Sequence, residues 1–136
     1  MTIKTLLAKP VPVRIRFLKK SQYRPNDKYG QLTKLVDFKI QETDKVLDIG
    51  SGGYPFPKAT HLADLYESET THRKEELIKD GRPFVECNIQ NLPFVNKEFD
   101  FIFCSHVLEH VDDPALACEE LMRVGKRGYI ETPTIS

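Results

Sequence analysis

The stretch that most constrains this chain is Val46-Leu47-Asp48-Ile49, followed at once by Gly50-Ser51-Gly52-Gly53. A short β-like run that stops in glycines puts a tight turn at a strand end, where backbone can approach a ligand closely. The next segment is unusually short. Only ten residues separate Gly50 from His61, where the next strand candidate opens, and they include Pro55 and Pro57. Parallel strands normally need a crossover of about a dozen residues or more, usually helical. A loop, or at most one helical turn, is therefore expected between the first two strands.

Further strand candidates lie at 61–65, 83–87, 99–104 and 128–132. The fourth of the five, Phe99-Asp100-Phe101-Ile102-Phe103-Cys104, is the most apolar and reads as a central strand buried on both faces. Three helices are expected, one before the first strand and two between later ones. Asn26 or Asp27 can cap one running to about Ile40, with Leu32, Leu35, Val36 and Ile40 near a 3.6 period. Thr70 or Thr71 opens a charged helix to about Lys79, closed by Asp80-Gly81. Asp113 before Pro114 is a strong start for the third, which runs through Leu116, Leu121 and Met122 to Gly125, a glycine suited to a left-handed C′ position. Strands alternating with helices predict an α/β protein with a mostly parallel sheet.

The 136 residues fit one domain, with 40% hydrophobic and 29% charged residues. No apolar run approaches the roughly 18 residues of a membrane span, and Lys4, Lys9, Pro10 and Pro12 interrupt any signal-peptide core. Cys87, Cys104 and Cys118 show no C-x-x-C spacing, which fits reduced thiols in a cytoplasmic protein. Net charge is zero but uneven. Residues 1–28 hold eight bases against Asp27, leaving twelve bases and nineteen acids in the remainder. Residues 1–25 are expected to form a basic arm and 26–136 the folded domain. Such an arm could steer an anion, or fold back on the acidic body.

The glycine spacing narrows the ligand. A dinucleotide fold needs G-x-G-x-x-G, but Pro55 stands where the third glycine belongs, and no phosphate-binding G-x-x-x-x-G-K-[ST] occurs. Instead Asp48 precedes Gly50 by two residues, giving D-x-G-x-G. With VLDIGSGG, an acid ending the second strand at Asp64, NIQNLPF leading into FDFIFCSHVLEHV, and GYIETP in order, residues 46–132 resemble class I S-adenosylmethionine-dependent methyltransferases of the type 11 group. The resemblance implies a Rossmann-like three-layer fold with strand order 3-2-1-4-5. It implies S-adenosyl-L-methionine as cofactor, S-adenosyl-L-homocysteine as product, and methyl transfer to a small molecule by in-line displacement. Asp48, Gly50, Ser51, Gly52 and Gly53 would surround the methionine moiety. Asp64, with Leu65 beside it, would accept from the ribose hydroxyls. Asn88 stands where the family usually has an acid facing the adenine amino group, and Ile89 would pack on the ring. Ser105 lies where the fourth strand opens into the cleft, and His106 is the candidate base.

His106, Glu109 and His110 also spell H-x-x-E-H, an inverted zinc-protease signature. The first histidine follows a strand and falls in a turn rather than on a helix, so no metal is expected. The resemblance further implies two more strands, an antiparallel pair after the fifth. The sequence stops at Ser136, so the domain reads as truncated, its fifth strand a bare edge to be covered by a second copy or another partner. Two other functions stay open. A non-catalytic S-adenosylmethionine-binding or partner-binding module would lack an acceptor pocket. A nucleic-acid methyltransferase fits the basic arm but is weakened by Cys-Ser-His-Val in place of an N/D-P-P-Y segment.

Overall fold

The computed structural model describes the backbone of residues 13–18, and residues 29, 32–33, 36–65 and 80–133. Six strands form one sheet: β1 (Val13–Leu18), β2 (Val46–Ile49), β3 (His61–Asp64), β4 (Phe84–Glu86), β5 (Phe101–Ser105) and β6 (Gly128–Pro133). Their order is β1-β6-β5-β2-β3-β4, and every ladder is parallel. The five strands expected from sequence are β2 to β6, in the order 3-2-1-4-5. The addition is β1. It pairs along the whole of β6, Val13 beside Gly128 through Leu18 beside Pro133, so the edge expected to be bare carries the chain's own strand. The helix expected from Thr70 or Thr71 to Lys79 lies outside the described residues, as does most of the N-terminal arm.

Pleating sends alternate side chains to opposite faces, and the two faces differ. On one, Leu47, Ile49, Ile102, Cys104 and Ile130 meet Ala117, Cys118, Leu121 and Val124 of helix α1 (Pro114–Val124). The carboxylate of Asp113 accepts from Leu116 N, with Pro114 in the first turn, as the Asp-Pro pair predicts. The far end corrects an expectation. Gly125 is extended (φ −108°, ψ 144°) rather than left-handed. A Cβ there would sit 2.7 Å from two carbons of Ile102, so the glycine allows α1 to end against β5.

The other face is aromatic. Phe101 and Phe103 of β5 and Tyr129 of β6 are covered by Tyr29, Phe38 and Phe56. Phe56 stacks on Phe103 at 4.1 Å, and Tyr29 and Phe38 meet these rings edge-on. The expected helix to Ile40 stops early. Leu32 and Thr33 are helical and Val36 N donates to Leu32 O, but residues 36–40 are irregular and Lys39 turns at φ 54°. Unwinding there lets Phe38 enter the aromatic layer, where burying a ring outweighs one more helical turn. Residues 51–60 likewise contain no helix, and Phe56 is the plug that covers the sheet in its place.

Guanidinium groups hold these irregular segments. Arg82 donates to Phe56 O and Ala59 O, and Arg127 to Phe38 O and Lys39 O. Arg123 donates to Leu92 O and Phe94 O while Glu120 accepts from Leu92 N. Loop carbonyls without ladder partners are thereby satisfied.

Candidate functional site

The C-terminal ends of β2, β3, β5 and β6 meet at one edge of the sheet, the usual position for ligands in open α/β folds. On the aromatic face each of the three central strands changes from apolar to polar as it nears this edge: Val46 to Asp48, Phe103 to Ser105, Tyr129 to Glu131. Asp48, Ser105 and Glu131 are all buried. On the opposite face the same strands stay apolar at Ile49, Cys104 and Ile130.

The glycine turn is locked from beneath. Gly50 N and Ser51 N both donate to Ala63 O, and Gly52 N donates to Asp64 Oδ2 at 2.9 Å. Gly50 (φ 74°) and Gly52 (φ 50°) adopt left-handed backbone. Gly50 could carry no side chain, because its Cβ would lie 2.3 Å from Val107 Cγ2. The amides of Gly50, Ser51 and Gly52 are thus committed to β3, and Gly53 is the residue of the turn beyond that grip.

The sequence candidates fall into three groups. Asp48 is buried beneath the turn and accepts from Phe56 N at 2.7 Å, so it organises the short crossover. Asp64 accepts from Gly52 N and from Leu65 N, one on each oxygen. Leu65 beside it is 42% exposed. Asn88 is exposed and its Oδ1 accepts from Gln90 N, while Ile89 is packed against the α1 face of the core. Ser51 Oγ and Ser105 Oγ are buried with no hydrogen-bond partner among the described residues. Because Ile49 pairs with Cys104, these two hydroxyls sit at adjacent strand ends.

His106 occupies a left-handed turn (φ 57°), a conformation in which non-glycine residues are uncommon and often functional. Its amide donates to Glu131 O at 2.8 Å. Its Nε2 lies 3.2 Å from Glu131 Oε1 and its Nδ1 lies 3.5 Å from Glu109 Oε1. His110 Nε2 is 3.7 Å from that same Glu109 oxygen. In the H-x-x-E-H segment both rings therefore flank the glutamate. Among the described residues no three His, Cys, Asp or Glu side chains converge as metal ligands would. Burial pushes Glu109 up, but the hydrogen bond from His106, a backbone bond and the two imidazoles outweigh it, holding the carboxyl below its ordinary value. Burial beside Asp64 raises the Cys87 thiol to about 11, which removes it as a nucleophile. Glu131 and Tyr129 escaped the sequence reading. Their alternation in GYIETP puts them on one face, but nothing local names His106 as their neighbour.

The rim is also distinctive in charge. Segments 50–53, 64–65, 86–90, 105–113 and 131–133 contain Asp64, Glu86, Glu109, Asp112, Asp113 and Glu131, and no lysine or arginine. A phosphate-bearing ligand would meet no matching cation on them, whereas a cationic ligand would find acids.

Comparison with known proteins agrees with this geometry. A family model described as "Methyltransferase domain" matches residues 47–130. An uncharacterized methyltransferase of Schizosaccharomyces pombe is 33% identical over 107 residues, 65% of this chain and 38% of that protein. Among solved structures, a methyltransferase of Thermotoga maritima, described as S-adenosylmethionine-dependent and a possible histamine N-methyltransferase, is 25% identical with a TM-score of 0.55, over 74% of this chain and 46% of its own. The cyclase SpnF, at 17% identity, shares the fold with a TM-score of 0.54 over 90% of this chain and 51% of its own. The chain thus spans about half or less of the length of these relatives. With the glycine turn, the acid ending β3 and the five-strand order all inside the matched region, this chain belongs to the methyltransferase domain family.

Proposed function

We propose that this chain binds S-adenosylmethionine at the β2 turn and serves methyl transfer to a small molecule. The observation that carries the reading is the pair of buried hydroxyls without partners, Ser51 and Ser105, at adjacent strand ends beside the glycine turn. Buried polar atoms normally have partners, and a bound ligand with ammonium, carboxylate and ribose groups would supply them. The rim suits the cofactor's net positive charge. Gly53 and the half-buried Gly52 would lie against the methionine moiety, Asp64 would accept from the ribose hydroxyls, and Leu65 and Asn88 would lie near adenine.

When bound, S-adenosylmethionine supplies an electrophilic methyl group on a sulfonium sulfur. The protein's part is to orient the acceptor in line with it, which can supply much of the barrier lowering, and to take up any proton the acceptor loses. His106 would take up that proton. A small acceptor fits the acidic segments described at this edge better than nucleic acid does. The Thermotoga protein's description, naming an amine acceptor, points the same way. Three unpaired thiols support a cytoplasmic setting. Among the described residues no helix is long and apolar enough to cross a membrane.

Titration calorimetry with S-adenosylmethionine and S-adenosylhomocysteine tests the reading. Wild type should release heat with both, and Asp64→Ala should bind far more weakly. Absence of heat from folded wild type would sink it. Binding without turnover on any acceptor would favour the non-catalytic module instead.

A further inference from the structure

Two turns at the C-terminal edge touch through one side chain. Gly50 opens the glycine turn after β2, and the three atoms nearest to a Cβ placed on it all belong to Val107. Cγ2 would overlap that Cβ, with Val107 Cβ and Cγ1 at 3.7 and 3.9 Å. The valine comes from the segment after β5 that carries His106 and Glu109. The glycine turn is tied to β3, through Ala63 O and the Asp64 carboxylate. The other turn is tied to β6, because His106 N donates to Glu131 O, and the chain bends at His106 (φ 57°) directly before Val107. Val107 then starts the 3-10 turn Leu108–His110, its carbonyl accepting from His110 N at 2.9 Å, with no side-chain cap. Its own side chain is partly buried and packs on the α1-side core, to which Leu108 also belongs.

Each turn is thus anchored to a different strand. The β2–β5 ladder ends at Ile49 beside Cys104, and beyond it Val107 on Gly50 bridges the two turns. We propose that Val107 is a positioning residue. It sets the spacing between the glycine turn, with the cofactor on it, and the turn of His106, so that filling the first is felt at the second. The inference rests on the methyl-transfer reading above. A β-branched side chain is stiff about χ1, which suits a spacer. Close-packed surroundings pass a displacement on rather than absorb it. Methyl transfer makes the spacing matter, because donor and acceptor must stay in line and a misplacement of roughly 1 Å can cost about 100-fold in rate. The bare Cα of Gly50 is the other half of the device: it lets the valine come close enough to bear on the turn.

Amide hydrogen exchange on the unliganded protein reads the contact itself. Val107→Ala should speed exchange at Gly50, Ser51 and Gly52 by about tenfold relative to the amides of β5, within the range by which residues linking two sites alter their coupling. A merely structural valine would speed exchange in the turn and in β5 alike, and that result would overturn the proposal. Nitrogen-15 NMR of histidine-labelled protein reads the consequence, with the His106 signals assigned by their loss in His106→Gln. Saturating wild type with S-adenosylhomocysteine should shift the His106 ring signals. At saturation Val107→Ala should show a clearly smaller shift, and Val107→Ile, which keeps the branch at Cβ, should retain it. No shift in wild type that binds with heat, or the full shift in Val107→Ala, counts against the proposal. If Val107→Ala does not fold, Val107→Leu, apolar but without the branch at Cβ, takes its place with the same outcomes. Calorimetry with S-adenosylhomocysteine separates the two claims. Wild type that gives no heat removes the methyl-transfer reading, while the exchange measurement still decides whether Val107 holds the glycine turn.

Discussion

The two faces of the sheet solve the same problem differently. Beneath α1, aliphatic side chains of β2, β5 and β6 meet an amphipathic helix, and the layer is apolar up to the strand ends. On the aromatic face two irregular segments, around Phe38 and Phe56, bring rings to cover the strands, and the last residues turn polar. A helix covers a sheet with a regular stripe of small contributions. A loop must cover it with a few large ones and hold its own backbone by other means, here Arg82, Arg127 and Asp48. The loop-covered face is also the one that leaves space at the strand ends for Asp48, Ser105 and Glu131.

The contrast can be broken by mutation. Phe103→Ala should cost about 3–5 kcal/mol, the range for a buried aromatic, because the ring contacts Phe56, Tyr129, Phe38 and Tyr29 together. Leu121→Ala on the helical face should cost less than Phe103→Ala. Urea denaturation of both decides it, and a larger loss for Leu121 would show that the helical face carries the stability. Asp48→Ala should cost about 1–3 kcal/mol, since it strands the amide of Phe56 without its acceptor. The same substitution should weaken S-adenosylhomocysteine binding by loosening the turn, read by calorimetry.

Asp113→Ala removes the cap of α1 and should lower stability by about 1 kcal/mol while weakening cofactor binding far less than Asp64→Ala does. An affinity loss as large as that of Asp64→Ala would mean that the two faces are coupled. The smallest effect is at Glu109. Its folded pKa lies below its ordinary value, so its contribution is present above that value and lost as pH falls through the lowered one. Thermal melts of Glu109→Gln should therefore differ from wild type at neutral pH and converge with it in acid. A difference that grows as pH falls would reverse the sign.

The contrast also explains what was legible in the sequence. The helical face was, because Asp113-Pro114 and the spacing of Leu116, Leu121 and Met122 are local signals. So was the all-buried β5, from its unbroken apolar run. The aromatic face was not. Leu32, Leu35, Val36 and Ile40 suggest a longer helix, and only the rings waiting on β5 and β6 explain why the chain unwinds to bury Phe38. The left-handed end expected at Gly125 failed for a similar reason, since the close neighbour there is Ile102, far away in sequence.

At the site, the residues from 46 to 53 determined by themselves that a strand would end in a glycine turn, and the acid before Gly50 favoured the family that the four blocks from VLDIGSGG to GYIETP together resemble. These are matters of propensity and spacing within a few residues. Tertiary structure decided what each carboxylate holds: Asp48 the amide of Phe56, Asp64 that of Gly52, Glu131 the hydroxyl of Tyr129. It also decided that β1 returns to close the β6 edge. Charge and hydrogen-bond energies depend on burial and on partners from other strands, and neither exists until the sheet has assembled.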